Sequence, residues 1–170
     1  LHGPVLTENL GYYLNLYDIW SGYKVESEGV VIAYTSVYGN TKAAVQLLEQ
    51  KLIENGCPKV VVNDLARCDM AECVEDAFRY GKLVLATTTY NGDVFPHMKE
   101  FIHHLTERSY QNRTVGLMEN GTWAPTAAKT MMKMLEGSKN LSFCENSVKI
   151  LSALSDASRA QIEALAKELA

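Results

Sequence analysis

Residues 29–41 read GVVIAYTSVYGNT. The first six of these letters form a continuous apolar run, which is typical of a strand buried on both faces of a sheet. Polar residues and one glycine follow, and from Asn40 to Asn55 apolar residues recur at helical spacing. A buried strand, a short polar loop and a helix in direct succession predict the beginning of a parallel α/β sheet.

The same succession repeats to the end of the chain. Because strands that alternate with helices are covered on both faces, we expect a parallel sheet with helices packed on each side. Ligands of such sheets bind beyond the carboxyl ends of the strands, so the loops after the first, third and fourth strands are the candidates for function. The predicted strands span 29–35, 59–64, 82–87, 114–118 and part of 147–154, and the predicted helices span 40–55, 70–80, 96–108, 124–135 and 156–169.

Composition narrows the classes of function. The chain has 170 residues, 47% of them apolar, which suits one domain with a sizeable core. Its net charge of −4 argues against a nucleic-acid partner, because a phosphate backbone is met by a basic surface. No window approaches the roughly 18 continuous apolar residues of a membrane span. The four cysteines lack C-x-x-C spacing, so we expect reduced thiols in a cytoplasmic protein, without a zinc site or dithiol motif.

The loop after the first strand has the character of a phosphate site. It opens a helix, whose first N–H groups and positive dipole end suit an anion. The chain contains neither G-x-x-x-x-G-K-[ST] nor G-x-G-x-x-G, so a nucleoside-triphosphate loop and a dinucleotide fold are unsupported. An ordinary capped turn stays an alternative for this loop. The residues assigned to a terminal monophosphate are Ser36, Val37, Tyr38, Gly39, Asn40 and Thr41.

Two later loops have residues that could enclose a flat ring. Residues 87–93 and 119–125 are polar, contain a glycine, and each present one aromatic side chain, Tyr90 or Trp123. Aromatic faces stack on conjugated rings, so we predict a slot between them beside the phosphate loop. Taken alone, either aromatic residue could instead anchor its own loop. The further cofactor-binding residues predicted here are Thr88, Thr89, Tyr90, Asn91, Gly92, Glu119, Asn120, Gly121 and Trp123.

The phosphate loop, SVYGNT at residues 36–41, resembles that of the flavodoxins, usually Thr/Ser-x-Thr-Gly-x-Thr. Among flavodoxin-like proteins, the chain is most similar to the C-terminal domain of flavodiiron proteins (A-type flavoproteins). Residues 17–21 (YDIWS), 91–96 (NGDVFP) and 120–123 (NGTW) carry this likeness. The resemblance implies a flavodoxin-like three-layer sandwich, a five-stranded parallel sheet in the order 2-1-3-4-5, and FMN as the cofactor. Tyr38 departs from the pattern, because its phenol is too long to reproduce the contact of a small hydroxyl residue.

Residues 1–28 stand apart from the alternating pattern. Apolar residues at helical spacing between Leu10 and Trp20 predict an amphipathic helix, either a linker or a helix packed on this domain. The first residue is not Met, which predicts a processed chain or a fragment. Residues 2–5 (HGPV) resemble the end of the metallo-β-lactamase-like domain of flavodiiron proteins, where the histidine is a metal ligand. The resemblance implies that residues 1–28 end that missing domain and that residues 29–170 form the flavodoxin-like domain; no metal is expected, since the other ligands are missing.

By resemblance, the chain is the FMN-binding electron-transfer domain of an oxidoreductase. Its flavin would take electrons from a rubredoxin or a flavin/NAD(P)H reductase and pass them to the di-iron domain, which reduces oxygen or nitric oxide. The chain by itself is not expected to carry out that terminal reduction, and whether it forms a homodimer is open. Two alternatives remain: a flavin-dependent NAD(P)H:quinone reductase of the same fold, and a flavodoxin-like interaction module that has lost its flavin.

Overall fold

The computed structural model describes residues 3–170, so His2 lies outside the described residues. Strands and helices alternate along the chain, as the sequence pattern predicts. The strands are β1 (Ser27–Tyr34), β2 (Val60–Asp64), β3 (Tyr80–Tyr90), β4 (Asp93–Val94), β5 (Arg113–Asn120), β6 (Leu141–Phe143) and β7 (Val148–Ile150). The helices are α1 (Leu10–Ser21), α2 (Asn40–Glu54), α3 (Met70–Arg79), α4 (Pro96–Glu107), α5 (Ala127–Met134) and α6 (Asp156–Leu169).

The strands form one sheet in the order β2-β1-β3-β5, with β6 and β7 both paired to the outer side of β5. All neighbours pair in parallel except β4, which forms a short antiparallel ladder with the end of β3. Helices α2 and α6 pack on one face, and α3, α4 and α5 pack on the other. The predicted three-layer sandwich and its strand order are therefore confirmed.

The sheet has seven strands where the sequence pattern predicts five. The fifth position is divided, because β6 pairs with the first part of β5 and β7 with its last part. Between them the chain leaves the sheet, since the Glu168 carboxylate of α6 accepts the backbone N–H groups of Glu145 and Asn146 at 2.7 and 3.0 Å. Within the predicted range 147–154, Val148–Ile150 is the strand, and residues 151–154 form a loop.

The other added strand belongs to a hairpin at the end of β3. β3 continues beyond its predicted end, since residues 87–88 pair with β5 and residues 89–90 pair with β4. Asn91 and Gly92 alone form the turn, with φ angles of 51° and 74°. Positive φ at both positions is the geometry that a two-residue hairpin turn requires. Most of the second polar loop is therefore strand, which holds its side chains in fixed directions.

The core lies on both faces of the central strands. Residues 30–33 of β1 and 83–86 of β3 have no exposed surface. Successive side chains alternate between the two layers, with Val31 and Ala33 on the side of α3 and α4, and Val30 and Ile32 on the side of α2 and α6. The prediction that the strand beginning at residue 29 is buried on both faces is confirmed. Because helices cover both faces of the sheet, the carboxyl edge is where loops can form a site.

Helix α1 forms where the sequence predicts it, but it does not pack on this domain. None of its residues is buried, and the exposed fractions of Tyr13, Tyr17 and Trp20 are 42%, 69% and 58%. This exposure favours the linker over a helix packed on the domain's own surface. Although α1 is apolar, no helix within residues 3–170 is long and apolar enough to cross a membrane.

Arg113, the first residue of β5, ties the segment after α1 to the amino-terminal edge of the sheet. Its side chain is buried, and its guanidinium donates to the carbonyls of Tyr80, Tyr23 and Lys24 at 2.8, 2.8 and 3.1 Å. Since a guanidinium carries five N–H donors in a fixed plane, one side chain can satisfy several carbonyls at once. Further carbonyl acceptors are those of Phe78, Gln111 and Asn112.

We expect Arg113→Met to lower the free energy of unfolding by about 3 kcal/mol, because the substitution leaves several buried carbonyls without a donor. Urea unfolding followed by circular dichroism measures the loss. Arg159→Met is the matched control, since Arg159 is exposed on α6 and its replacement should change stability by less than about 0.5 kcal/mol. Equal losses in the two variants would contradict the anchoring role.

Candidate functional site

The loops at the carboxyl edge of the sheet enclose a cleft of about 450 Å³, a volume in the range of small-molecule sites. The loops that follow β1, β4, β5 and β7 contribute to it, together with the end of β3. Within residues 3–170, no charged side chain lines this cleft. The lining residues are Ser36, Val37, Tyr38, Asn40, Thr41, Thr88, Thr89, Tyr90, Phe95, Asn120, Gly121, Thr122 and Ser152.

The loop between β1 and α2 presents backbone donors to the cleft. Gly39 turns the chain into the helix with φ of 89°, a conformation that side chains disfavour. Ser36 Oγ accepts the N–H groups of Gly39 and Lys42 at 3.1 and 3.2 Å. Converging free N–H groups at the start of a helix form a phosphate site. Those without a protein acceptor in the described part of the chain belong to Val37, Tyr38, Asn40 and Thr41.

Side chains of the sheet accept hydrogen bonds from the start of the neighbouring helix α5. Thr89 Oγ1 accepts the N–H groups of Thr126 and Ala127 at 2.9 and 3.2 Å. The Glu119 carboxylate accepts the N–H of Ala128 at 3.0 Å. Because β3 and β5 supply these acceptors, three N–H groups at the start of α5 are already bonded within the protein.

Polar side chains at the ends of the central strands are paired with one another. Thr35 and Thr87, at the ends of β1 and β3, have no exposed surface, and their hydroxyl oxygens lie 2.6 Å apart. Tyr34 donates its hydroxyl to the Asp64 carboxylate at 3.2 Å. Burial, and then the charge of Asp64, raises the pKa of Tyr34 to about 12, so this phenol stays protonated at neutral pH.

Aromatic side chains stand on two sides of the cleft. Tyr90 is half exposed and packs edge-on against Phe95, with ring centroids 5.4 Å apart. Trp123 is 89% exposed and lines an adjoining recess of about 370 Å³. This recess shares Thr89 and Gly121 with the cleft. The arrangement can hold a flat ring between the hairpin and the loop after β5.

Most of the predicted site residues line the cleft, and five do not. Gly39 forms the turn into α2, while Gly92 and Trp123 line the adjoining recess. Asn91 lies on the other side of the hairpin, where it lines a separate surface beside α4. The Glu119 carboxylate accepts a hydrogen bond from the first turn of α5. The role of each predicted residue in binding a cofactor stays a prediction.

Three lining residues were not predicted from the sequence as site residues: Phe95, Thr122 and Ser152. Phe95 and Thr122 stand inside segments that carry the family resemblance, but nothing in the pattern pointed to a contact. Ser152 follows β7, at the carboxyl edge where ligands of parallel sheets bind. Its loop follows the predicted fifth strand, whereas the prediction covered only the loops after the first, third and fourth strands.

A family model described as a flavodoxin domain matches residues 31–164. The chain belongs to this family. The match spans every strand of the sheet and the loops of the cleft, so the flavodoxin-like fold predicted from residues 36–41 is confirmed.

Similarity to oxidoreductases of the flavodiiron group is also found. The anaerobic nitric oxide reductase flavorubredoxin of Escherichia coli is 23% identical over 137 residues, which cover 79% of this chain and 28% of that protein. The rubredoxin oxygen:oxidoreductase of Desulfovibrio gigas superposes with a TM-score of 0.86 at 18% identity, over 94% of this chain and 39% of that one. The flavodoxin of Streptococcus pneumoniae TIGR4 gives a TM-score of 0.71 at 20% identity, over 84% of this chain and 97% of that one. The chain thus spans little more than a quarter of the curated relative.

We expect Thr89→Val to lower the free energy of unfolding by about 1 kcal/mol, because two N–H groups of α5 lose their acceptor. Urea unfolding measures the loss. Thr130→Val, within α5, is the control: the Thr130 hydroxyl only donates to the Thr126 carbonyl, so the change should be smaller than about 0.5 kcal/mol. A larger loss for Thr130→Val than for Thr89→Val would refute the capping role of Thr89.

Proposed function

We propose that the chain binds FMN and transfers electrons as the flavin domain of a flavodiiron-type oxidoreductase. The observation that carries this proposal is the group of free N–H donors at the start of α2, beside an uncharged cleft that Tyr90 lines and an adjoining recess that Trp123 lines. Membership of the flavodoxin family and similarity to oxidoreductases support it. When bound, FMN supplies one- and two-electron redox chemistry, while the protein binds and orients it and tunes its potential.

The residues of the cleft suit a terminal phosphate at one end. The free N–H groups of Val37, Tyr38, Asn40 and Thr41 would donate to its oxygens, and the positive end of the α2 dipole favours its negative charge without a cationic side chain. The side chain of Tyr38 is 93% exposed, so its phenol leaves the loop open and only its backbone N–H is offered. The departure of Tyr38 from the flavodoxin pattern therefore removes one hydroxyl donor and no backbone donor.

The opposite end of the cleft suits a conjugated ring. Tyr90 and Trp123 would flank the ring, and Thr88 also lines the cleft. Because both aromatic side chains are largely exposed, the edge of a ring held there would face solvent. An exposed edge is what exchange of electrons with a second protein or domain requires.

The remaining steps of the proposed reaction need partners outside residues 3–170. We propose a rubredoxin or a flavin/NAD(P)H reductase as the electron donor and a di-iron metallo-β-lactamase-like domain as the acceptor. Within the described residues, no three His, Cys, Asp or Glu side chains are grouped as metal ligands. The uncovered aromatic residues of α1 support assigning residues 1–28 to the end of such a domain, with residues 29–170 as the flavin domain.

We expect the purified chain to bind FMN at least about tenfold more tightly than riboflavin, because the free N–H groups of α2 make charge-assisted hydrogen bonds only to the phosphate. Quenching of flavin fluorescence during titration measures both affinities. Quenching by neither flavin would contradict the proposed function while leaving the fold intact. Equal affinity for both would refute the phosphate site.

The aromatic wall is tested in the same titration. Trp123→Ala should weaken FMN binding by about tenfold, because stacking on the exposed indole is lost. Trp20→Ala is the matched control, since Trp20 is the other tryptophan, is 58% exposed and lies on α1, away from the cleft. Similar affinities for the two variants would refute the stacking role of Trp123.

The FMN-loaded chain should not be bleached rapidly by NADH or NADPH alone, because a protein donor is expected to deliver the electrons. Absorbance of the flavin band under anaerobic conditions measures this, with dithionite as the positive control. Fast bleaching by either nucleotide, followed by reoxidation with a quinone, would favour the alternative of an NAD(P)H:quinone reductase.

A further inference from the structure

One buried amide joins three loops of the cleft. Asn120, the last residue of β5, is 6% exposed. Its Nδ2 donates to the Ser152 carbonyl at 3.0 Å, and its Oδ1 accepts the Ser152 N–H at 3.1 Å. Nδ2 also lies 3.4 Å from Thr41 Oγ1, in the first turn of α2. The end of β5, the loop after β7 and the phosphate loop therefore meet at a single side chain.

The direction of every hydrogen bond in this group is determined. The backbone of Ser152 offers one N–H and one C=O, so the amide of Asn120 must present Oδ1 to the first and Nδ2 to the second. The second proton of Nδ2 then points to Thr41 Oγ1. An amide nitrogen has no lone pair to accept with, so the Thr41 hydroxyl must be the acceptor in this contact.

The Thr41 hydroxyl is consequently left with a proton to donate. Thr41 is 1% exposed and lines the cleft, and within residues 3–170 no protein acceptor lies within reach of its O–H. A hydroxyl whose lone pair already accepts a hydrogen bond is a better donor through its own proton. Beside it stand the free N–H groups of the same loop, including that of Thr41 itself.

The loop after β7 depends on the same amide. Ser152 has φ of 71°, a conformation that a residue other than glycine or asparagine seldom adopts, and it is exposed. The Gly121 N–H donates to the Ile150 carbonyl at 3.0 Å, which fixes only the start of this loop. The paired bonds from Asn120 are what hold Ser152 against the cleft.

We propose that Asn120 is a positioning residue that gives the site its preference for a phosphorylated ligand. It does so by holding the Thr41 hydroxyl as a hydrogen-bond donor toward the phosphate and by fixing Ser152 in the lining of the cleft. This inference rests on the proposed function, since the ligand is taken to be FMN. It goes beyond that function because Asn120 acts through Thr41, whereas the backbone N–H groups act directly.

Affinities of FMN and riboflavin for the purified chain and its variants test the proposal. Asn120→Ala should weaken FMN binding by about tenfold and riboflavin binding by less than about threefold. Asn120→Asp should lose more preference than Asn120→Ala, because a carboxylate accepts the Thr41 proton and repels the phosphate. Asn140→Asp is the charge control, since Asn140 lies beside β6 at the amino edge of the sheet and its amide contacts only Asn112.

A double-mutant cycle separates positioning from direct contact. Thr41→Val should lose the same preference as Asn120→Ala, Thr41→Ser should retain it, and the double variant Thr41→Val with Asn120→Ala should lose no more than Thr41→Val alone. If Asn120→Ala shows no cooperative urea transition, Asn120→Ser replaces it with the same expectation.

The outcomes distinguish failure of the proposed function from failure of the role assigned to Asn120. A wild-type chain that binds neither flavin, or both equally, overturns the proposed function and this inference with it. Two other results overturn the inference alone, provided that the wild-type chain prefers FMN. In the first, variants of Asn120 keep this preference. In the second, the double variant loses more of the preference than Thr41→Val does.

Discussion

Backbone N–H groups in the first turn of a helix have no partner inside the helix, and this constraint organises the carboxyl edge of the sheet. Asp69 accepts from the first turn of α3, and Ser155 does so for α6. Pro96 removes a donor from the start of α4, and Thr89 and Glu119 accept from the start of α5. Helix α2 differs in the loop before it, because the N–H groups of Val37 and Tyr38 add to those of Asn40 and Thr41, and none of the four has a protein acceptor in the described residues. A ligand with an anionic end could accept from these groups together.

The sequence predicts those parts of the fold that depend on neighbouring residues. Residues 29–41 contain a strand, a loop and a helix whose apolar pattern is local, and the structure has each of them in place. The hairpin turn at Asn91 and Gly92 also follows from its residue types, although the polar residues around it predict a longer loop. The position of the cleft could also be predicted, because the loops at the carboxyl ends of parallel strands meet at one edge of the sheet.

Other features follow from contacts between residues far apart in the chain. Glu119 is polar and ends a strand, so its sequence context is the same as that of a ligand-binding residue; only the position of α5 shows that it is a cap. The division of the fifth strand depends on Glu168, more than 20 residues away. Ser152 reaches the cleft because Asn120 holds it there. None of these contacts leaves a periodic pattern that a single sequence can display.

Strand β5 has Arg113 at its first residue and Asn120 at its last, roughly 23 Å away at the usual rise of a strand. The first binds the chain where it leaves α1, and the second holds the loops around the cleft. β5 is a central strand whose interior is buried, so it has little freedom to bend or slide. A stiff strand between these two points would keep the start of the domain and the cleft at a constant separation.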